Sequence, residues 1–420
     1  MAVKNFNINL SLIIFITTLS IALRCFPLSE EGGSSENSNG GFHNFTETTA
    51  KHNYTSEEHT VITEDGYILT IFRITKGRNC HSENKRTPIL LMHGLLINSD
   101  AFLDAGPSAA LAYLLSDSCY DVWVGNQRGN NYARKHLRLN PDKDTEFWHF
   151  SVDEIGFYDV PATIDYILKH TDADKINYIG FSQGCGVFFA MCSERPSHCE
   201  KSAIMIALAP AVTMQEQESL LLRLIFYITA RFWVIFDTIG AHEFFSKGTF
   251  VQELLLYLCQ MSATWMEKFC ATCGFVDNYN PGSVTIDTQR QLFNNFLVGT
   301  SLNNLARYGQ ILASGKFQKF DYGESRNSEI YNSTEVPVYN VSAVTVPVVL
   351  IQGRNDKLVN YRDTDILSTQ LPNVLELVMV SDPEWTHLDM IYSQNIKTMI
   401  FPKIMTLSVC LSATLFRLNY

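Results

Sequence analysis

The amino-acid sequence predicts an α/β fold in which a mostly parallel sheet carries the functional residues and a helical insertion covers them. Apolar runs typical of buried parallel strands occur at 89–92, 176–179 and 346–351. Each run passes directly into a short loop that contains glycine and polar residues. The second loop leads into an apolar segment of helical length, which is expected of a strand–turn–helix unit. The three runs therefore predict parallel strands whose carboxyl ends release functional loops.

The composition is that of a globular protein. Hydrophobic residues make up 46% of the 420 residues and charged residues 18%, which excludes disorder, collagen and coiled coil for the bulk of the chain. The chain has 32 Lys+Arg against 43 Asp+Glu, and its formal net charge of -11 has the wrong sign for binding phosphate backbones. We therefore expect a large buried core and no nucleic-acid partner.

The first residues have the pattern of a secretory signal. Lys4 precedes an uncharged and mostly apolar run, 10–23, which is shorter than the roughly 20 residues that a membrane span needs. We predict a signal peptide at 1–24, with an uncleaved signal anchor as the alternative. Residues 25–50, whose centre is rich in Ser, Gly, Glu and Asn, are predicted to be a flexible linker. The folded domain is then expected at 51–420.

A secreted chain can be glycosylated at Asn-x-Ser/Thr sequons, and four of these are relevant here. All four lie downstream of the predicted signal peptide and in polar surroundings, so they are candidate glycosylation sites. They begin at Asn44, Asn53, Asn332 and Asn340.

The ten cysteines are too dispersed for a disulfide-rich scaffold, although an oxidising compartment permits one or two disulfides. Cys270 and Cys273 have the spacing of a zinc ligand pair. No second pair of this spacing and no pair of suitably spaced histidines accompanies them. We therefore expect no metal site.

The motif that carries chemistry is Gly180-Phe181-Ser182-Gln183-Gly184. It matches the pattern G-x-S-x-G and stands between a β-type apolar run and a helical segment, which is the context that makes the pattern meaningful. The two glycines remove side chains where a sharp turn presses the strand against the helix. The serine hydroxyl is then raised at the edge of the sheet. We predict that Ser182 is a nucleophile, against the alternative of a structural turn serine.

A serine nucleophile needs a general base that is oriented by a carboxylate. In this arrangement the partners follow the serine in the order acid, then histidine. Asp356 stands in the loop after the run 346–351, and His387 is the only histidine that follows Asp356. We predict Asp356 as the acid and His387 as the base. Read singly, Asp356 would be a turn residue and His387 a residue at a helix start.

The oxyanion of the reaction needs two backbone N–H donors. One is expected from the residue after the nucleophile, Gln183. The other is expected from the loop after the run 89–92, where Gly94 allows the backbone to turn the N–H of Leu95 inward. His93 precedes the serine, which breaks the required order, so we interpret it as a residue that shapes the loop.

The spacing between the predicted nucleophile and acid indicates a cap. They are 174 residues apart (356 minus 182), about 100 more than two further βα units require. We place the cap at about 213–335. It contains the apolar segment 220–236, whose two arginines and length argue against a membrane span. The segment is either a buried cap helix or a surface that also meets lipid.

Several long stretches resemble the acid lipases, which include gastric and lysosomal acid lipase and many insect digestive lipases. The likeness runs from about Asn53 to Lys403. Its markers are SEEHTVITEDGYILTIFRI, LLMHGLL, YDVWVGNQRGNNYARKH, FWHFSVDEIGFYDVPATIDYIL, YIGFSQG, SGKFQKFDYG, GRND and WTHLD.

The resemblance implies an α/β-hydrolase core with a helical cap, no metal or organic cofactor, and hydrolysis of neutral lipid esters. The nucleophile, acid, base and oxyanion donors of the family correspond to the residues chosen above: Ser182, Asp356, His387, Leu95 and Gln183.

The chain departs from the family pattern at several positions. The residue before the nucleophile, usually His, is Phe181; a Trp usual after the acid is Lys357; and a Trp usual in the stretch FSW is Val152. The acid lipases have a disulfide in the cap, and the spacing of its two cysteines is not kept in this chain. By resemblance, Cys259 with Cys270 is the best candidate pair.

The sequence thus predicts a secreted or lysosomal serine lipase that forms an acyl-enzyme and hydrolyses triacylglycerol or steryl ester at a lipid–water interface. One alternative is a short-chain carboxylesterase, which would not need an apolar cap. The other is a catalytically weak lipid carrier on a lipase fold.

Overall fold

A computed structural model of the chain describes residues 44–80, 86–245, 277–278, 280–295 and 298–406. The predicted signal peptide and the predicted disulfide between Cys259 and Cys270 lie outside the described residues, as does Cys273.

The strands of the described residues form one sheet of eight strands and one of two. In chain order they are β1 Thr55–Ile62, β2 Ile68–Lys76, β3 Pro88–Met92, β4 Asp121–Val124, β5 Ile176–Phe181, β6 Ser202–Leu208, β7 Glu243–Phe244, β8 Thr300–Ser301, β9 Val348–Gln352 and β10 Val374–Met379. The large sheet has the order β1-β2-β4-β3-β5-β6-β9-β10. Only the β1–β2 and β2–β4 pairs are antiparallel. The predicted mostly parallel sheet is confirmed.

Helices cover both faces of this sheet and form the insertion between β6 and β9. In chain order they are α1 Phe45–Lys51, α2 Leu111–Asp117, α3 Val152–Glu154, α4 Val160–Thr171, α5 Gln183–Glu194, α6 Pro196–Cys199, α7 Leu220–Thr238, α8 Ile286–Asn295, α9 Leu302–Ser314, α10 Glu324–Tyr331, α11 Tyr361–Gln370, α12 Asp389–Tyr392 and α13 Ile396–Met399. A π-helical turn, Ile155–Asp159, joins α3 to α4. Within the part of the chain that the structure describes, none of these helices is both long and apolar enough to cross a bilayer.

The central strands are buried on both faces, as their continuous apolar runs predict. In β3, Leu90 and Met92 pack into one hydrophobic cluster, while Ile89 and Leu91 pack into the other. The alternation follows from the two-residue period of a strand, and both clusters are large enough to shield the strand from water. The carboxyl ends of these strands therefore remain the accessible place for functional loops.

Helix α1 corrects the predicted flexible linker 25–50, which is wrong for its last residues. Asn44 and Glu47 form a capping box, in which the Asn44 side chain accepts from the Glu47 N–H and the Glu47 side chain accepts from the Asn44 N–H. Phe45 is fully buried and stacks on Phe72 of β2, with ring centroids 4.3 Å apart. The helix is held by these contacts rather than by its composition.

Within the insertion, helix α7 packs against α9. Gly309 of α9 lies so close to the carbonyl oxygen of Phe226 that a Cβ at this position would collide with it, and the rings of Phe226 and Tyr308 stack at 5.3 Å. Helix α7 buries only Phe226 and Thr229, and its backbone leaves helical geometry at Phe232. On its outer face and just beyond its end, the large apolar side chains are exposed: Leu220, Tyr227, Phe232, Val234, Ile235 and Ile239.

Two disulfides lie among the described residues, Cys80–Cys119 and Cys192–Cys199. The first joins the segment after β2 to the segment before β4, and the second links α5 to α6. The two pairs fit an oxidising compartment and agree with the expectation of one or two disulfides.

Candidate active site

Ser182 occupies a strained turn between β5 and α5. Its backbone has φ 53° and ψ −116°, a conformation that side chains rarely adopt. The two glycines of the motif make the turn sterically feasible. A Cβ at Gly180 would lie 2.8 Å from a backbone atom of Gly184, and a Cβ at Gly184 would collide with the carbonyl oxygen of Met92. The strand, the helix and the end of β3 can therefore approach closely only because both residues lack side chains.

Asp356 and His387 lie together in the loops that follow β9 and β10. The Nδ1 atom of His387 is 2.8 Å from Oδ2 of Asp356, and both side chains are buried. With Nδ1–H donating to the carboxylate, Nε2 of His387 is left as the acceptor. The two residues that the chain order selected are thus brought together by the fold.

The Asp356 carboxylate is fully engaged by hydrogen bonds. Its Oδ1 accepts from the backbone N–H groups of Leu358 and Val359, at 2.8 and 2.7 Å, and its Oδ2 also accepts from Nε2 of Gln352 at 3.1 Å. These donors fix the position of the carboxylate. Burial by itself would lower the pKa of His387, but the charge and hydrogen bond of Asp356 raise it above its ordinary value.

Phe181 lies between the Asp356–His387 pair and Ser182. Its ring lies against the His387 ring, with centroids 4.8 Å apart, and Ser182 is the next residue along the chain. The Ser182 N–H donates to the carbonyl of Leu208, at the end of the neighbouring strand β6. The departure from the family at Phe181 therefore places an aromatic ring directly beside the predicted base. The ends of β5, β9 and β10 bring all three predicted residues to one edge of the sheet.

The predicted oxyanion donors lie at the same edge. Gly94 is pressed against the serine turn, since a Cβ at this position would lie 3.0 Å from Cβ of Ser182 and 3.2 Å from the Phe181 ring. Leu95 follows directly, so its N–H belongs to the loop that touches the turn. Gln183 is the first residue of α5, where a backbone N–H has no acceptor within the helix.

Comparisons with known proteins identify the fold and the relatives of the chain. The α/β hydrolase fold model matches residues 87–390, and a partial α/β-hydrolase lipase region matches residues 45–106. Lipase 1 of Drosophila melanogaster is 38% identical over 365 residues, which cover 85% of this chain and 77% of the relative. Gastric triacylglycerol lipase of Homo sapiens is 35% identical over 361 residues, covering 84% and 88%. Lysosomal acid lipase/cholesteryl ester hydrolase of Macaca fascicularis is 35% identical over 374 residues, covering 87% and 90%.

The chain belongs to the acid lipase family.

A buried polar network in this acid lipase links the predicted oxyanion loop, the serine turn and the cap. The Nε2 atom of His93 accepts from the Gln127 N–H at 3.0 Å, and the Gln127 side chain accepts from Nε2 of Gln183 at 2.6 Å. On the other side, Asn304 of α9 donates to the Gln183 side chain at 3.0 Å. The sequence identified Gln183 only through its backbone. Its amide side chain, together with Gln127 and Asn304, was missed because their partners are distant in sequence.

His93 takes the role in loop shape that its position before the serine predicts. Its Nδ1–H donates to the Gly94 carbonyl at 2.8 Å, which leaves Nε2 to accept from Gln127. Burial lowers the pKa of His93 to about 4. The imidazole is therefore neutral over most of the acidic range and can keep both hydrogen bonds there.

A second buried acid, Asp277, was also missed by the sequence. It lies within the insertion, before α8, and its carboxylate is close to both Asp356 and His387. Burial and the charge of Asp356 raise the pKa of Asp277 to about 7. The surrounding residues, VDNYNPG, read as an ordinary polar turn, and no spacing rule distinguishes this aspartate from others.

The four candidate glycosylation residues are all exposed. Asn44 and Asn340 use their side-chain oxygens to cap α1 and a short 3₁₀ turn, respectively, while Asn53 and Asn332 have positive φ values. Their exposure makes these residues accessible to modification. Glycosylation at the four sites stays a prediction.

Among the described residues, one group of side chains could provide metal ligands. His149, Asp237 and His242 place one donor atom each within 4.8 Å of one another, where the end of α7 meets the loop before α3. The group includes none of the predicted catalytic residues. The ester chemistry that the Ser182 edge supports requires no metal.

Proposed function

We propose that the chain is a serine lipase that hydrolyses neutral lipid carboxylic esters through an acyl-enzyme. The observation that carries the proposal is the buried Asp356–His387 pair, with 2.8 Å between Oδ2 and Nδ1, beside the strained turn of Ser182. Membership of the acid lipase family supports the same assignment.

In the proposed reaction, Oγ of Ser182 attacks the ester carbonyl while Nε2 of His387 takes the hydroxyl proton. Asp356 holds the imidazole in the required tautomer and stabilises its positive charge. The N–H groups of Leu95 and Gln183 stabilise the oxyanion. The alcohol leaves with the proton of His387, and an acyl group remains on Ser182. Water, deprotonated by His387, then attacks the acyl group and releases the fatty acid.

The substrate class is supported by the relatives and by helix α7. The relatives carry the names gastric triacylglycerol lipase and lysosomal acid lipase/cholesteryl ester hydrolase, so we infer a triacylglycerol or a steryl ester as the substrate. The exposed apolar side chains of α7 supply a surface that a lipid–water interface would cover. Of the two sequence interpretations of this segment, the exposure favours the surface that meets lipid.

A substrate panel tests the proposal. The secreted chain is assayed on a long-chain triacylglycerol emulsion, a steryl ester emulsion and a soluble short-chain ester, with Ser182→Ala as the blank. We expect the highest specific activity on one of the emulsions. A strong preference for the soluble ester would favour the carboxylesterase alternative. Binding of lipid without turnover of any ester would favour the lipid carrier.

The proposed compartment is extracellular or lysosomal. The disulfides Cys80–Cys119 and Cys192–Cys199 and four exposed sequons support it. Expression in cultured cells should give a protein whose electrophoretic mobility increases after removal of N-glycans. Recovery of the unglycosylated chain from the cytosol alone would contradict this assignment.

A further inference from the structure

The buried carboxylate of Asp277 joins two loops that the proposed reaction requires. Its Oδ1 accepts from the backbone N–H of Lys357 at 3.2 Å, in the loop that carries Asp356. Its Oδ2 accepts from the N–H of His387 at 3.1 Å and of Leu388 at 3.4 Å. One side chain from the insertion thus contacts the backbone of the predicted base and the residue next to the predicted acid.

We propose that Asp277 is a positioning residue that holds the acid loop and the base loop at a fixed separation, so that His387 and Asp356 meet in the orientation needed for proton transfer. The inference rests on the proposed function, because it assigns Asp277 a role in that reaction. Asp277 acts through the backbone of the catalytic residues and does not itself contact the ester.

The hydrogen-bond pattern requires a carboxylate at this position. Each of the contacts to Lys357, His387 and Leu388 comes from a backbone N–H, and both oxygens of Asp277 are used as acceptors. An asparagine would face one of the two loops with its NH₂ group, whichever way its amide is turned. That loop would lose its acceptor, and two donors would meet in a buried place.

The residues after Asp277 attach the same segment to both loops. Nδ2 of Asn278 donates to the backbone carbonyl and the side chain of Asn355 in the acid loop, at 3.0 and 2.6 Å. Asn280 and Ser283 donate to the Asp389 carboxylate at the end of the base loop, at 3.0 and 2.6 Å. The polar contacts of this segment therefore bridge the two loops at several points, and among its described residues Asp277 is the one that bonds both.

The pKa of Asp277 reflects two opposing influences: burial and the charge of Asp356 disfavour the carboxylate, whereas the charge of His387 and the backbone N–H of Lys357 favour it. Burial and the nearby charge of Asp356 raise this pKa to about 7, so the fold keeps an acid where its charge is unfavourable. A position with only a packing role would not need a carboxylate there.

The test compares Asp277→Asn with Asp363→Asn. Asp363 is also a buried carboxylate that accepts two backbone N–H groups, from Gln215 at 2.9 Å and Glu216 at 3.0 Å, but its carboxylate bonds to neither loop of the proposed site. Both variants should lower the melting temperature. On a soluble short-chain ester, we expect Asp277→Asn to lower kcat by about ten- to hundredfold with KM within threefold of wild type, and Asp363→Asn to leave kcat within twofold.

Two results would overturn the proposal: a kcat of Asp277→Asn within twofold of wild type, or an equal loss of kcat in both variants at an equal loss of melting temperature. If Asp277→Asn yields no folded protein, the decision passes to Asn278→Ala. A kcat reduced at least threefold at unchanged KM then supports the proposal, and a smaller reduction overturns it.

Ser182→Ala, labelled with a fluorophosphonate in parallel, separates this inference from the proposed function. Labelling that persists in Ser182→Ala overturns the proposed function itself. Labelling that is lost there, together with a wild-type kcat in Asp277→Asn, overturns the positioning role of Asp277 alone.

Discussion

The strand ends around Ser182 and the cap helix α7 place their side chains in opposite ways. At the strand ends, Ser182, Asp356 and His387 are 8%, 3% and 4% exposed, and each oxygen of Asp356 accepts more than one hydrogen bond. Along α7, large apolar side chains such as Val234 and Ile235 are more than half exposed. The strand ends shield polar groups from water, whereas α7 exposes apolar groups to the solvent.

The difference reflects what each region has to do. Proton transfer requires donor and acceptor atoms at fixed distances, and hydrogen bonds fix the Asp356 carboxylate and Nδ1 of His387 at the strand ends. Adsorption to a lipid surface requires apolar area, which many arrangements of side chains can supply. Mutations at the strand ends should therefore change the chemical step, while mutations of the exposed apolar side chains of α7 should change only the access to lipid.

The largest effect is expected from Ser182→Ala. Removal of the nucleophile should reduce kcat by on the order of 10⁶, as judged from serine proteases, because no other group at the strand ends can form the acyl-enzyme. Labelling by a fluorophosphonate should disappear, while folding and secretion persist. Wild-type labelling of the variant would show that the nucleophile lies elsewhere.

Asp356→Asn should have the next largest effect. The amide keeps the shape of the side chain but leaves His387 poorly oriented and its positive charge unsupported, so we expect a loss in rate on the order of 10⁴, by analogy with serine-protease triads. Steady-state kinetics on a soluble ester measure this loss. Activity within tenfold of wild type would transfer the role to another carboxylate, and Asp277 would be the first to examine.

A smaller effect at the strand ends is expected on the pH dependence of the free energy of unfolding. The pKa of His93 is lowered to about 4 in the folded chain from its ordinary value of 6.5. The unfolded chain therefore binds a proton more readily, and the free energy of unfolding should fall by about 3 kcal/mol as the pH decreases from 6.5 to 4. In His93→Gln this part of the decrease should be absent.

Urea denaturation of wild type and His93→Gln at pH 7 and pH 4 measures the difference. Replacement of the exposed His170 by Gln serves as the matched control and should leave the wild-type decrease unchanged. An identical decrease in His93→Gln would mean that the network around His93 does not carry the pH dependence.

The smallest effect is expected on the cap and should be selective for emulsions. Phe232 is exposed, whereas Trp233 packs edge-on against Phe320 with ring centroids 5.4 Å apart. At ~25 cal/mol per Å², loss of roughly 55 Å² of lipid contact corresponds to about tenfold in adsorption. Phe232→Ser should thus lower long-chain emulsion hydrolysis about tenfold and spare a soluble ester.

Trp233→Ser provides the contrast. It should lower the melting temperature and reduce both activities alike, because it removes packing within the cap. If Phe232→Ser behaves in the same way as Trp233→Ser, α7 is a structural part of the cap and lipid is recognised elsewhere.

The sequence was most informative where a rule ties chain order to geometry. G-x-S-x-G between a strand and a helix marked Ser182, and the required order selected Asp356 and His387, which the fold brings to within a hydrogen bond of each other. The sequence did not identify Asp277, because its hydrogen-bond partners are backbone N–H groups of loops far along the chain. No sequence spacing predicts such contacts. The end of the linker was misjudged for a similar reason: Phe45 is ordered by its stacking on Phe72, a long-range contact.

The backbone at Ser182 has a consequence for how this chain would change under selection. A φ of 53° with a ψ of −116° suits glycine, and a side chain held there is destabilising by roughly 1–3 kcal/mol. Ser182→Gly should therefore melt at a higher temperature than the native chain while lacking all turnover. A library screened for heat resistance alone would drift towards glycine at this position. A serine retained there is a signature of selection for activity at the expense of thermostability.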